Sequence, residues 1–296
     1  MIVNFILTEV LTTMTDLFEE VMDPTQELIN AIGVRNYQKV LELVDDTPNL
    51  NVPLVHAVRV KDIPIITLLL DKGANPSCQP LTEAVISKDA ELVKLLLNRG
   101  ANADESAALW ETFDNDVVNE EIFRILVENG AKPNYKDESE FTIIHALSQI
   151  PNVDLLRFAL QYVNTSILND EDIFGDTPLN HAIIDENMDN VLEILFRDIT
   201  QKTKDIGLIT AAVYDRPDFV ELLLKFGADP NYIDPIRYEE ENSTALVESV
   251  KRKHKDVFNI LIKTNISQKI IDMALEVVED EDLLNQLRNT NEITIR

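Results

Sequence analysis

The chain has 296 residues, 45% of them hydrophobic, enough to bury a core in one array or in two domains. Its 53 acidic and 26 basic residues leave a net charge of -27, a field that repels phosphate backbones and argues against DNA or RNA as a ligand. The sole cysteine, Cys78, excludes an internal disulfide framework and suits a reducing compartment.

At the N-terminus, Ile2, Phe5, Ile6, Val10, Met14, Leu17 and Val21 recur at roughly helical spacing. Residues 1–22 are therefore expected to form an amphipathic helix that packs beneath the first of the later helices. A partner-docking helix is the alternative, and Met14 is an alternative start. No Lys or Arg precedes Arg35, so neither a secretory n-region nor an Arg-rich transit peptide is expected. No run approaches the roughly 18 uninterrupted apolar residues of a spanning helix, so membrane insertion is not expected.

The chain then repeats itself. LLLDKGANPS at Leu68 to Ser77 returns as LLLNRGANAD from Leu95, as ILVENGAKPN from Ile125 and as LLLKFGADPN from Leu222. Four of the seven glycines, Gly73, Gly100, Gly130 and Gly227, close these stretches, where a left-handed residue ends a helix. Upstream of each closure lies a second short helical pattern ending in a polar break, as in HAVRVKDIPIITLLL from His56 and EAVISKDAELVKLLL from Glu83. The same grammar recurs after His181, Ala211 and Glu248, and looser copies begin at Asn30, at Leu147 and around Trp110 with NEEIFRILV. Eight helix pairs are predicted between about Asp23 and Gln268. Each exposes an apolar face and must stack on its neighbours, and the segment from Lys269 reads as a capping helix pair. The expected organisation is 1–22 as the amphipathic segment, 23–268 as the array and 269–296 as the cap and tail.

GDTPLNHA at Gly175 to Ala182 and FTIIHAL at Phe141 to Leu147 open inner helices whose partners end in LLLxxGA. With the looser PLVHA, PLTEA and STALVES, this pattern resembles the ankyrin repeat over about 245 residues. The resemblance implies an all-α solenoid of about eight stacked helix-turn-helix units, with short β-hairpin fingers mainly in the C-terminal half. It also implies protein binding through the fingers and the concave inner helices, without catalysis. Asn180 stands where the family usually has His, and the steps Ala31, Ala57, Ala84 are 26 and 27 residues against about 33 in the family. Early fingers should thus be clipped, and long connectors are expected at Asn134 to Glu140, Asn169 to Asp176 and Tyr232 to Asn242. Short, eroded repeats of this kind are similar to those of giant DNA viruses and intracellular bacteria.

No catalytic or metal motif stands out. His56, His145, His181 and His254 are not paired at helical spacing, and Thr142 with His145 reads as the brace the family uses between repeats. There is no Gly-rich phosphate loop, HExxH or GxSxG. No enzyme activity, cofactor or metal is expected. KRKHK at Lys251 to Lys255 follows an inner helix and reads as a solvated helix end, with nuclear import or an acidic contact as alternatives. The acid run from Glu279 to Asp282 should mark the turn of the cap.

The expected function is a non-enzymatic scaffold; the alternative is a substrate-recognition subunit of a ubiquitin ligase, for which residues 1–22 show no recognisable docking box. Candidate binding residues are Tyr135, Lys136, Phe174, Tyr232, Ile236, Arg237 and Tyr238 on the long connectors. Asp185, Glu186, Tyr214, Arg216 and Arg252 are candidates at inner-helix exits. The partner is expected to be a protein, attracted if basic, although solubility competes as an account of the charge. The chain is expected to be a monomer in the cytoplasm, the host's in the case of a viral or bacterial effector, with the nucleus as alternative.

Overall fold

The computed structural model describes residues 23–104, 106–114, 117–237 and 240–294. The helix expected over residues 1–22 lies outside the described residues. The chain divides into two compact units, 1–131 and 132–296.

In the first unit, α1 (Pro24–Gly33) and α2 (Tyr37–Leu43), α3 (Asn51–Val60) and α4 (Ile63–Asp71), and α5 (Gln79–Ile86) and α6 (Ala90–Asn98) are antiparallel pairs. A 3-10 turn (Ser106–Thr112) and α7 (Glu120–Glu128) complete it. Inner helices stack in order, α1 on α3, α3 on α5 and α5 on the 3-10 turn. The middle leucine of each closing motif, Leu69 or Leu96, is fully buried between helices.

The closing motif is a pair of hydrogen bonds. The Ala74 N–H donates to the Leu69 carbonyl and the Gly73 N–H to Leu70, both at 3.0 Å, with Gly73 at φ 93°. Ala101 and Gly100 repeat this on Leu96 and Leu97, and Ala131 and Gly130 on Leu126 and Val127. LLLxxGA is therefore the sequence of a Schellman closure: the leucine five residues before the alanine supplies the acceptor, and glycine takes the left-handed φ.

Inner helices close the same way without glycine. Arg35, Lys61 and Lys88 have φ of 53–55°, and the next residue donates to the carbonyl of Ala31, Ala57 or Ala84. The alanine period in the sequence marks these acceptors. The residue that ends the turn caps the outer helix, since Asn36, Asp62 and Asp89 accept from the N–H three residues on at 3.1 Å. The left-handed side chains reach the following repeat: Arg35 donates to the Val60 carbonyl at 2.6 Å, Lys61 to that of Ser87 at 3.2 Å, and Lys88 to the Asp114 carboxylate at 2.9 Å.

The irregular unit adds one hairpin to the fingers expected mainly in the C-terminal half. Where neighbouring repeats have a left-handed turn, it inserts a hairpin, β1 (Phe113–Asp114) with β2 (Val117–Val118). Phe113 holds it down by contacting Trp110 and Phe123, with ring centroids 5.8 and 6.2 Å away.

The second unit contains four regular pairs: α8 (Ile143–Gln149) with α9 (Val153–Ala159), α10 (Pro178–Ile184) with α11 (Met188–Leu195), α12 (Gln201–Val213) with α13 (Pro217–Lys225), and α14 (Ala245–Lys251) with α15 (Lys255–Leu261). The inner helices α8, α10, α12 and α14 stack in that order. Side chains in one repeat fix the backbone at the start of the next: Asn169 Oδ1 accepts from the Thr200 N–H at 2.7 Å, and Asp205 Oδ1 from that of Asp229 at 2.6 Å. α16 (Gln268–Val277) packs on α14, and α17 (Glu281–Thr294) packs on α16. Ile270, Ile271, Ala274, Leu283 and Leu287 are buried there. The acid run marks the turn between them. It faces the basic run, with Lys253 3.3 Å from Glu279 and Lys255 3.5 Å from Asp280. No described helix is long and apolar enough to cross a membrane.

Two glycine substitutions separate backbone strain from packing, because neither position has a neighbour within 4 Å of an added Cβ. Gly73→Ala forces an L side chain into the left-handed region and is expected to destabilise by about 1 kcal/mol. Gly33→Ala, at the end of α1 with ordinary φ, is expected to stabilise by about 0.5 kcal/mol. Urea denaturation of the two variants beside the parent measures both.

Candidate functional site

The connectors of the second unit are held by their own polar atoms. In the connector before α8, Asp137 Oδ1 accepts from the N–H groups of Ser139 at 2.7 Å and Phe141 at 3.0 Å, and the backbones of Lys136 and Thr142 bridge. In the connector before α10, Asp172 Oδ1 accepts from the N–H groups of Phe174 at 2.9 Å and Asp176 at 3.0 Å around Gly175 at φ 79°. Its other oxygen lies 2.9 Å from His181 Nε2. Asp172 is thus a buried anchor of the finger.

Beneath these fingers Phe141 stacks on His145, with centroids 5.2 Å apart, and meets His181 edge-on at 5.1 Å. The Thr142 N–H donates to His145 Nδ1 at 3.1 Å, which makes Nδ1 the acceptor and places the ring proton on Nε2. Nε2 lies 3.2 Å from the Asp170 carbonyl, so the ring ties α8 to the next finger. Burial, and secondarily the neighbouring His181, pushes the His145 pKa down to about 4 against the pull of the Asp170 carbonyl. Asn180 performs the same task one repeat later. Its Oδ1 accepts from the Thr177 N–H at 2.9 Å while its Nδ2 donates to Thr210 Oγ1. The departure from the family pattern therefore keeps the brace and removes the titrating group.

Of the candidates named from sequence, Tyr135 and Phe174 project from the fingers with 62% and 76% of their surface exposed. Lys136 joins Glu140 at 3.1 Å and Asp170 at 3.3 Å, and hydrogen bonding to Glu140, aided by Asp170, raises its pKa. Asp185 caps the end of α10, and Glu186 follows in the left-handed region, 2.8 Å from Arg216 on the neighbouring turn. Arg216 also reaches the Ile184 carbonyl at 3.4 Å. Tyr214 is exposed at the end of α12. Arg252 turns back onto Glu248 of its own helix at 3.2 Å. Tyr232 is half-buried. Beyond it, β3 (Asp234–Arg237) pairs with β4 (Glu240–Ser243), with Ile236 opposite Glu241 and Arg237 opposite Glu240. Tyr238 lies outside the described residues, and of Ile236 and Arg237 only the backbone is described.

The geometry joins the two fingers through Lys136 and Asp170, and adjacent inner turns through Glu186 and Arg216; it gives Arg252 a local structural bond instead. Sequence reasoning missed Ile173 beside Phe174, exposed by 60%, and the exposed Phe196, which meets Phe226 at 5.2 Å. A run of Ile-Phe before Gly-Asp was the available signal for the first. Nothing in the spacing marked the second. It also missed that Glu248, only 2% exposed, accepts from Ser243 Oγ at 3.0 Å. Among the described residues, no group of three His, Cys, Asp or Glu side chains is placed to hold a metal ion.

Residues 208–235, covering the C-terminal part of α12, all of α13 and the glycine closure after it, match the family model of the ankyrin repeat. The chain has the fold of an ankyrin-repeat solenoid. Among solved structures it is similar to the ankyrin repeat domain of Bcl-3, described as a unique member of the IkappaB protein family. The TM-score is 0.57 and the identity 24%, over 71% of this chain and 97% of that one. Ankyrin repeats are in general protein–protein interaction modules and typically non-enzymatic scaffolds, and the exposed finger side chains here are of the types that such contacts use.

The histidine brace sets a pH dependence. A folded pKa of about 4 against about 6.5 in the unfolded chain means that His145 stabilises fully above pH 6.5 and that this stabilisation is lost as pH falls towards 4. The loss should reach about 3 kcal/mol at most. His145→Asn, which borrows the solution used at position 180, should flatten the curve. The check is the difference in unfolding free energy between parent and variant from pH 7 to pH 4.

Proposed function

We propose that this ankyrin-repeat chain is a monomeric, non-enzymatic scaffold that binds a basic protein partner through the fingers and inner-helix exits of residues 132–296. The observation that carries this reading is the exposure of Tyr135 and Phe174 on fingers whose backbones are fixed by Asp137 and Asp172. An aromatic ring left in water on a rigid loop contributes nothing to the core and gains most by being covered. The net charge of -27 supports a cationic partner, drawn in by the long-range field. Arg59, Lys61 and Lys88, three of the nine cations of the first unit, are occupied by Glu83, Asp89 and Asp114, which supports assigning them to structure and not to binding.

With a partner isolated by affinity capture, Tyr232, Arg237 and Tyr238 changed together to Ala should weaken binding by about tenfold or more. Arg59, Lys61 and Lys88 changed to Ala should leave it within about twofold, with melting lowered slightly by the lost surface pairs. Loss confined to the second variant would place the site in the wrong unit. The association rate should also fall steeply from low to physiological salt, where the screening length is about 8 Å; a flat salt profile would leave the charge as a solubility device.

A further inference from the structure

Within that reading, we propose that the two joined fingers, residues 134–140 and 170–176, form one docking platform for a linear partner segment in which an aliphatic or aromatic side chain is flanked by Lys or Arg. Three observations converge there. Tyr135, Ile173 and Phe174, 60% to 76% exposed, give the platform an apolar crest. The fingers are fastened to each other: the Ile173 N–H donates to the Ser139 carbonyl at 3.1 Å, and Lys136 reaches Asp170 across the gap. The turn that lifts Ile173 and Phe174 is anchored from below by Asp172 on His181. A crest held this way loses little conformational freedom when covered, which favours binding without an ordering cost.

Charge selects the occupant. The two segments hold seven carboxylates and a single lysine, and that lysine already lies against Glu140 and Asp170. Asp172 and Asp176 are buried, whereas Asp137, Glu138 and Glu140 are exposed around the crest. An apolar centre with an anionic rim is complementary to a segment with an apolar anchor and cationic flanks. The same rim repels nucleic acid and anionic lipid.

The test is a random peptide library displayed on phage and selected on the full chain, with each clone then measured on two variants. The first combines Tyr135→Ser, Ile173→Ser and Phe174→Ser, all at exposed positions, with folding verified by circular dichroism melting. The second is Glu138→Gln with Glu140→Gln. Selected peptides should combine an aromatic or aliphatic residue with neighbouring Lys or Arg and lose about tenfold or more in affinity on the first variant. They should bind the second more slowly and with a weaker salt dependence. Peptides that are acidic, or that bind the first variant as well as the parent, would overturn the platform and leave the scaffold reading standing. A library yielding no clone specific for the folded chain would count against both.

Discussion

Every regular repeat depends on bringing two short helices back against each other within a two- or three-residue turn. Helices of seven to ten residues, such as α2 and α3, are too short to persist alone in water, so their stability has to come from stacking. Stacking requires that every pair leave its turn at one angle. Left-handed residues fix that angle at most of the turns, glycine at the outer ends of α4, α6, α7 and α13 and Arg35, Lys61, Lys88, Glu186, Asp215 and Lys253 at inner ones. A non-glycine residue there carries strain of roughly 1 kcal/mol. The turn recovers it by satisfying a carbonyl in the last turn of the inner helix and presenting a cap to the next. In the first unit the same side chains also bind the neighbouring repeat.

The braces between inner helices show one geometry solved with different chemistry. His145 and Asn180 both accept from the backbone N–H of a threonine three residues earlier, and both direct their remaining donor at a neighbouring segment. Histidine adds a ring that packs on Phe141 and His181, at the cost of a group that must stay neutral. Asparagine forgoes that packing. In α14 the equivalent region is organised by a buried carboxylate, Glu248, held between Ser243 and Arg252. Local polar satisfaction, more than residue identity, is what these positions share along the chain.

This distinction explains what could be read from the sequence. The outer closures were legible because LLLxxGA names each part of its own hydrogen bonding, and the helix pairs came with its period. The inner closures were not, because a left-handed Lys61 or Glu186 looks like any surface residue when glycine is absent. Asp172 and Glu248 were hidden for another reason: among 53 acidic residues nothing marks the few that are buried. The fingers were visible as excess length, which located Tyr135 and Phe174. Which side chains face water depends on turns made by Asp137 and Asp172, and so the Ile-Phe run before Gly-Asp was the one sign that set Ile173 apart from a core isoleucine.

Successive inner closures lie 26 and 27 residues apart in the first unit, from Arg35 to Lys88, but 29 and 38 apart in the second, from Glu186 to Lys253. The 29-residue step takes its surplus in α12, which has 13 residues against seven in α10, whereas the 38-residue step takes it in the connector that holds the β3–β4 hairpin. Each of the connectors after Gly130 and Gly227 is therefore an interchangeable cassette, bounded by one glycine-ended helix and one threonine-capped helix start. A lineage, or an engineer, can lengthen, shorten or replace it without re-solving the core. Recognition in such a molecule can drift as fast as its loops do, while the frame that displays them stays in register.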